Sequence, residues 1–192
     1  MTLYQAFTAR RGSEKILLDA GALLVGSILM TLAAKATVPF YPVPLSMQTF
    51  VAIGLGLALG PLRGGLAIML YLAEGAMGMP VFAGTPEKGI GLAYMVGPTG
   101  GFLVGFLLQA VIAGLFARHG RDRSPLTTAA IALIAAAAIY PTGLFWLGAV
   151  IGFDKPLLAL GLYPFILGDV VKALLAAAVF PLVWRLIERP TV

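Results

Sequence analysis

Asp169 and Lys172 are the two residues whose types and spacing most clearly suggest chemistry. They carry opposite charges three positions apart, inside an otherwise apolar segment from residue 163 to residue 182. On a helix this spacing puts both side chains on one face. A charge near the centre of a membrane helix costs roughly 2.5–3.5 kcal/mol on insertion scales, so such residues usually mark a functional site. We therefore predict a polar binding site here; the alternative is a buried ion pair that only fixes helix packing.

The composition indicates that this pair belongs to a membrane protein. The chain is 60% hydrophobic and 11% charged, with 24 glycines among 192 residues. A soluble domain of this composition would expose large apolar patches. We expect an all-α integral membrane protein that forms one transmembrane domain over residues 1–192. The net charge of +5 does not predict a nucleic-acid partner, because the basic residues are scattered at segment ends and form no aromatic-interleaved stripe.

Six apolar runs define the elements that must position the charged pair, and we predict a six-helix bundle. The run 48–60 is short and covers about two-thirds of a hydrocarbon core at 1.5 Å per residue. Asp19 interrupts the first run, which favours a membrane helix over a cleaved signal peptide. Six crossings put both termini on one side of the membrane. The predicted helices cover about 16–36, 48–60, 62–79, 100–118, 126–151 and 163–187.

The basic residues predict which side that is. Nine of the 13 Lys and Arg residues fall on the side of the termini, three fall on the opposite side, and Lys172 lies within the membrane. By the positive-inside rule, we expect both termini in the cytoplasm. We expect the protein itself to be a multi-pass protein of a bacterial inner membrane. The nine are Arg10, Arg11, Lys15, Arg63, Arg118, Arg121, Arg123, Arg185 and Arg189, and the three are Lys35, Lys88 and Lys155.

Two loops on the predicted outer side are rich in proline, glycine and aromatic residues. They cover residues 37–46 and 80–98. Proline restricts the backbone, which suits a lid or a pocket wall, although stiff connectors between helices would have the same composition. Glu74, Glu87 and Lys88 lie on this side too. Together with Asp169 and Lys172 they predict a cavity that opens outwards rather than a through-pore.

Other functional classes lack their signatures. There is no P-loop motif for ATP, no catalytic motif of the HExxH or GxSxG type, and no cysteine, while His119 is the one histidine. We therefore predict no catalytic residues, no cofactor and no metal site. A transporter of this kind would have to take its energy from a partner.

Small residues on the first helix indicate close helix packing. Ala22 and Gly26 are four positions apart, a spacing that lets two helix backbones approach. The pair could pack inside the bundle or dock a partner subunit, and we take it as the candidate docking surface.

Five stretches of the chain form a recognisable set of motifs: PVPLSMQT (42–49), LGPLRGG (59–65), GMPVFAG (78–84), GPTGGF (97–102) and GDVVK (168–172). These stretches resemble the BioY family, the biotin-specific substrate-binding (S) components of energy-coupling-factor (ECF) transporters. They follow the family order from the first outer loop to the last helix, so the resemblance spans nearly the whole chain. The loop at residues 85–91 is more charged than the glycine-rich loop expected of the family.

This resemblance implies a six-helix S component that captures biotin from outside and works with a membrane coupling (T) subunit and cytoplasmic ATPases. Asp169 would accept the ureido N–H groups, while Lys172 would meet either the ureido oxygen or the carboxylate, which stays open. An S component for a different vitamin is the alternative. Besides Asp169 and Lys172, the candidate substrate-binding residues are Gln48, Thr49 and Lys88, with Tyr41, Phe82, Tyr94 and Tyr163 as walls around the apolar part of biotin.

Overall fold

The computed structural model describes residues 2–8, 15–38 and 40–187. Both chain ends and Arg10, Arg11 and Arg189, which contributed to the predicted topology, lie outside these ranges. The elements are α1 (Leu3–Thr8), α2 (Lys15–Lys35), β1 (Thr37–Val38), β2 (Leu45–Ser46), α3 (Gln48–Ala76), α4 (Gly91–Met95), α5 (Gly100–Ala117), α6 (Pro125–Ala137), α7 (Ile139–Ile151), α8 (Leu157–Gly161) and α9 (Tyr163–Ile187).

The long element α3 is a helical hairpin that turns at Gly60. Gly60 has φ 85° and ψ 176°, a conformation that glycine alone adopts readily, and Pro61 then starts the second arm. The Gln48 amide nitrogen lies 2.8 Å from the Tyr71 hydroxyl. In a straight helix these residues would be about 35 Å apart. The arms are therefore antiparallel, and they match the two helices expected at 48–60 and 62–79, the second of which ends at Ala76.

Five stretches of the described chain are long and apolar enough to cross a membrane: 15–35, 48–76, 100–117, 125–151 and 157–187. Because α3 folds back on itself, these five stretches run along the bundle six times. α5 packs between α3 and α7, α9 packs along α6, and α2 packs along α3.

The helical stretch 125–151 is interrupted at Ala138, between α6 and α7. Pro141 is the cause: it has no N–H to offer the carbonyl of Ala137, and its ring crowds that carbonyl. Pro181, by contrast, lies within the uninterrupted α9. The interruption matters because Tyr140, next to Pro141, reaches the functional site.

The bundle has two chemically different ends. We call the end with Lys35, Ser46 and Tyr163 the outer end, following the predicted topology, and the end with Gly60 and Arg118 the inner end. At the inner end, Arg63 pairs with Asp19 of α2 and its guanidinium lies 4.6 Å from the ring centre of Tyr4. This contact explains why α2 tolerates an aspartate near its start.

Candidate functional site

Two adjoining cavities lie at the outer end of the bundle. The first, the Asp169 chamber, has about 360 Å³ of empty volume and the second, the Tyr94 chamber, about 270 Å³. Both chambers are lined by Val43, Pro44, Ser46, Phe102 and Phe106. Thr49, Ile139, Tyr140, Phe165, Asp169 and Lys172 complete the first, and Gln48, Ala83, Tyr94, Thr99 and Leu103 complete the second.

Asp169 is the polar centre of its chamber. The Tyr140 hydroxyl donates a hydrogen bond to Asp169 Oδ2, and Lys172 Nζ lies 3.5 Å from Oδ1. The side chains of Asp169 and Lys172 are only 9% and 11% exposed. An ammonium in full contact with a carboxylate lies about 2.7–2.9 Å away, so Lys172 keeps donor capacity for another acceptor. The pair faces the chamber, which favours the predicted binding site over a packing role.

Aromatic rings supply the apolar wall of the same chamber. The rings of Phe102 and Phe165 stack with their centres 6.4 Å apart, and Phe40 meets Phe165 edge-on at 6.3 Å. Phe102 of α5 and Phe165 of α9 line the chamber, whereas Phe40 of the 37–46 loop contacts Phe165 without lining it. The chamber therefore offers a flat apolar surface next to one carboxylate and one ammonium.

The polar groups of the Tyr94 chamber are engaged with the protein itself. Gln48 donates to the Tyr71 hydroxyl at 2.8 Å and accepts from the Ser46 hydroxyl at 3.2 Å. The Tyr94 hydroxyl donates to the Ala83 carbonyl at 2.8 Å. Gln48 keeps a second N–H, and the oxygen atoms of Gln48 and Tyr94 keep acceptor capacity, so this chamber can both donate and accept hydrogen bonds.

The structure brings together some of the predicted substrate-binding residues and separates others. Asp169, Lys172 and Thr49 line the first chamber, and Gln48 and Tyr94 line the second. The other four line neither chamber: Phe82 is fully buried behind Tyr94, Tyr41 and Tyr163 are 82% and 59% exposed, and Lys88 is exposed. Glu74 accepts a hydrogen bond from Ser27 of α2, away from both chambers.

The residues that do form the apolar wall carried weak signals in the sequence. Phe165 lies four positions before Asp169, on the face that also presents Lys172. Phe102 ends the stretch at 97–102, and Phe106 follows it by four positions. Tyr140 had the clearest signal, a hydroxyl beside a proline in an alanine-rich membrane segment. Helical spacing from the recognised motifs could therefore have found most of them.

The structure favours packing inside the bundle for Gly26, and docking of a partner through this residue stays a prediction. A Cβ atom on Gly26 would lie 2.8 Å from Cβ of Ala67 and 3.1 Å from the Leu55 side chain. Gly26 is therefore a packing residue that lets α2 approach the α3 hairpin. Ala22 is half-buried on the same face, and its role in docking stays a prediction.

Known proteins resemble this chain over most of its length. The profile of the BioY family matches residues 10–189. A probable biotin transporter BioY of Pyrococcus horikoshii is 40% identical over 79% of this chain and 86% of its own length. A biotin transporter BioY of Thermotoga maritima is 34% identical over the same shares. The crystal structure of an S-component for biotin from an ECF-type ABC transporter superposes with a TM-score of 0.76 at 22% identity, covering 91% of this chain and 94% of that one. This last match shows a common fold.

Proposed function

Because this chain belongs to the BioY family, we propose that it captures biotin with high affinity at the outer end of its bundle and acts as the S component of an ECF transporter. The observation that carries this proposal is the Asp169 chamber, in which an aspartate and a lysine meet an aromatic wall. The family is one of transporters, and its members do not act as enzymes.

The chemistry of biotin fits the two chambers. The molecule combines a ureido group with two N–H donors and one acceptor, an apolar thioether ring and chain, and a terminal carboxylate. Asp169 can accept hydrogen bonds from the ureido N–H groups, and Lys172 can donate a hydrogen bond to either the ureido oxygen or the carboxylate. Phe102 and Phe165 can enclose the apolar part. The two chambers share five lining residues, and we propose that the chain of biotin extends from the first towards the second.

Uptake against a gradient requires partners. This chain has no P-loop, so we propose that a membrane coupling (T) subunit and cytoplasmic ATPases supply the energy.

We further propose that both termini face the cytoplasm. The position of Arg63 and Arg118 supports this orientation: both line one cavity at the inner end, and the positive-inside rule places such basic residues in the cytoplasm. Lys35, at the outer end, contacts residues 82–85.

Direct binding of labelled biotin to the purified protein tests the proposal. We expect saturable binding that unlabelled biotin abolishes and that other vitamins leave intact. Lys172→Ala should weaken binding by about 30-fold or more, because it leaves a buried carboxylate without its cation. Lys155→Ala is the matched control, since Lys155 pairs with Asp154 on the protein surface. Competition by another vitamin in place of biotin would refute the biotin assignment.

Biotin methyl ester resolves which end of the ligand meets Lys172. If Lys172 binds the carboxylate, the ester should bind weakly to the wild type and lose nothing further in Lys172→Ala. If Lys172 binds the ureido oxygen, the ester should follow biotin and lose affinity in the variant.

A further inference from the structure

Lys35, the last residue of α2, makes contacts beyond its predicted role as a charge on the outer side. Its ammonium lies 3.1 Å from the Phe82 carbonyl, 3.1 Å from the Thr85 carbonyl and 3.0 Å from the Thr85 hydroxyl. An ammonium has three N–H donors, so one short loop segment takes its full donor capacity. A lysine that only balanced the carbonyls at the end of its own helix would not need these contacts.

The segment that Lys35 holds builds one wall of the Tyr94 chamber. The Thr85 hydroxyl donates to the Phe82 carbonyl at 2.7 Å, which closes a compact turn. The buried Phe82 ring stacks on Tyr94 with 4.9 Å between the ring centres. Tyr94 in turn donates to the Ala83 carbonyl at 2.8 Å. Tyr94 and Ala83 both line the chamber, so the Lys35 ammonium is connected to the wall through the backbone it binds.

The other loop over the cavity starts from the same end of α2. Met47 N–H donates to the Ala36 carbonyl at 3.2 Å, and Thr37 of β1 pairs with Ser46 of β2. Ser46 lines both chambers. The end of α2 therefore carries both loops, the 37–46 loop through the chain and the short ladder, and residues 82–85 through Lys35.

We propose that Lys35 is a positioning residue that holds the 82–85 segment in place over the bound ligand and so slows ligand release. This inference rests on the proposed function, because the ligand is biotin. Without the ammonium, the carbonyls of Phe82 and Thr85 form hydrogen bonds with water instead. The chamber wall then separates from α2 more often. Because both loops depend on the end of α2, a displacement of this helix moves both of them together.

The rate of biotin release tests this role. Lys35→Met keeps an unbranched stem of nearly the same length and removes the ammonium with its donors. We expect labelled biotin, chased with an excess of unlabelled biotin, to leave this variant about three to ten times faster than the wild type, the effect of losing hydrogen bonds at a solvent-accessible group. Lys35→Arg, which keeps the charge and the donors, should restore slow release. Lys155→Met removes an outer charge that pairs with the neighbouring Asp154, and this variant should release biotin at the wild-type rate.

Hydrogen exchange without biotin gives an independent measurement. The Thr85 amide donates to the Phe82 carbonyl at 3.3 Å and the Lys88 amide to the Gly84 carbonyl at 2.9 Å, so both report on the turn. They should exchange faster in Lys35→Met than in Lys155→Met. If Lys35→Met does not fold, Thr85→Val, which removes one of the three acceptors, should still speed release. Wild-type release rates in whichever of these variants folds overturn the role of Lys35, even if exchange becomes faster. A wild-type protein that binds no biotin refutes the proposed function instead, and this role of Lys35 with it.

Discussion

The two ends of the bundle use the same three kinds of group for different purposes. At the outer end, Asp169 meets Lys172 and Tyr140; at the inner end, Asp19 meets Arg63 and Tyr4. Arg63 binds Asp19 through two nitrogens, at 2.7 and 3.2 Å, whereas Lys172 is 3.5 Å from Asp169.

The choice of cation explains the difference. A guanidinium matches a carboxylate with two parallel hydrogen bonds and leaves it little capacity for anything else. A single ammonium at a longer distance leaves acceptor and donor capacity on both partners. The inner trio therefore holds α1, α2 and the α3 hairpin together, and the outer trio is available to a ligand.

The largest expected effect compares the two aspartates. Asp169→Asn should weaken biotin binding by about 30-fold or more, because a buried charged hydrogen-bond partner is worth roughly 2–5 kcal/mol. Asp19→Asn should leave affinity within about threefold and lower thermal stability slightly, since partly exposed ion pairs contribute little. Titration of labelled biotin and thermal melts in detergent measure the two effects. Equal affinity in both variants would mean that Asp169, too, has only a packing role.

The next effect concerns the backbone of the inner end. Gly60→Ala should destabilise the protein by about 1–3 kcal/mol, because the conformation of Gly60 is nearly closed to residues with a Cβ. Gly21→Ala is the control: it lies in α2, and within the described part of the chain the added Cβ would meet no other element within 4 Å. Denaturant unfolding measures both variants. Biotin affinity of folded Gly60→Ala should stay near normal, since the hairpin turn is at the end opposite the chambers; a large loss of affinity would show that the two ends are coupled.

A smaller effect compares the two tyrosines. Tyr140→Phe should lower biotin affinity by about tenfold, because a hydrogen bond to a charged group is worth roughly 1.5 kcal/mol or more and Asp169 loses a group that orients it. Tyr4→Phe removes the matching bond to Asp19 and should not change affinity. A double-mutant cycle with Asp169→Asn isolates the contact: Tyr140→Phe should have no further effect once Asp169 is changed. Additive losses would assign Tyr140 a contact with the ligand itself.

The smallest effect is a pH dependence at the inner end. Burial raises the pKa of Asp122, although the Trp184 indole donates to its Oδ2 at 2.6 Å. The folded protein therefore holds this proton more tightly than the unfolded chain does. The contribution of Asp122 to the free energy of unfolding decreases as the pH rises from the unfolded value, about 3.9, to the raised folded pKa, and is constant above it. Asp122→Asn should raise the melting temperature at neutral pH and flatten this part of the stability curve, while biotin affinity at the outer end stays unchanged.

Much of the fold could be predicted because its signals are local. Gly60 and Pro61 interrupt an apolar run where the chain turns back, and the charges of Asp169 and Lys172 stand out in an apolar segment. Contacts between distant segments had no comparable signal. Lys35 contacts residues 47 and 50 positions away, and the chain offers no pattern that pairs them.

The sequence by itself determined the membrane class, the apolar segments, the charged pair and the family. Only the tertiary structure decided that Gly26 faces the α3 hairpin, that Phe165 and Tyr140 line the Asp169 chamber, and that Tyr41 does not. The physical reason is the solvent. In water, a helix buries its apolar face and exposes its polar face, so the sequence pattern predicts the buried side. In a bilayer the lipid-facing and core-facing sides are both apolar, and the pattern no longer distinguishes them. The orientation of each helix is then decided by close packing and a few polar contacts, which exist only once the helices have assembled.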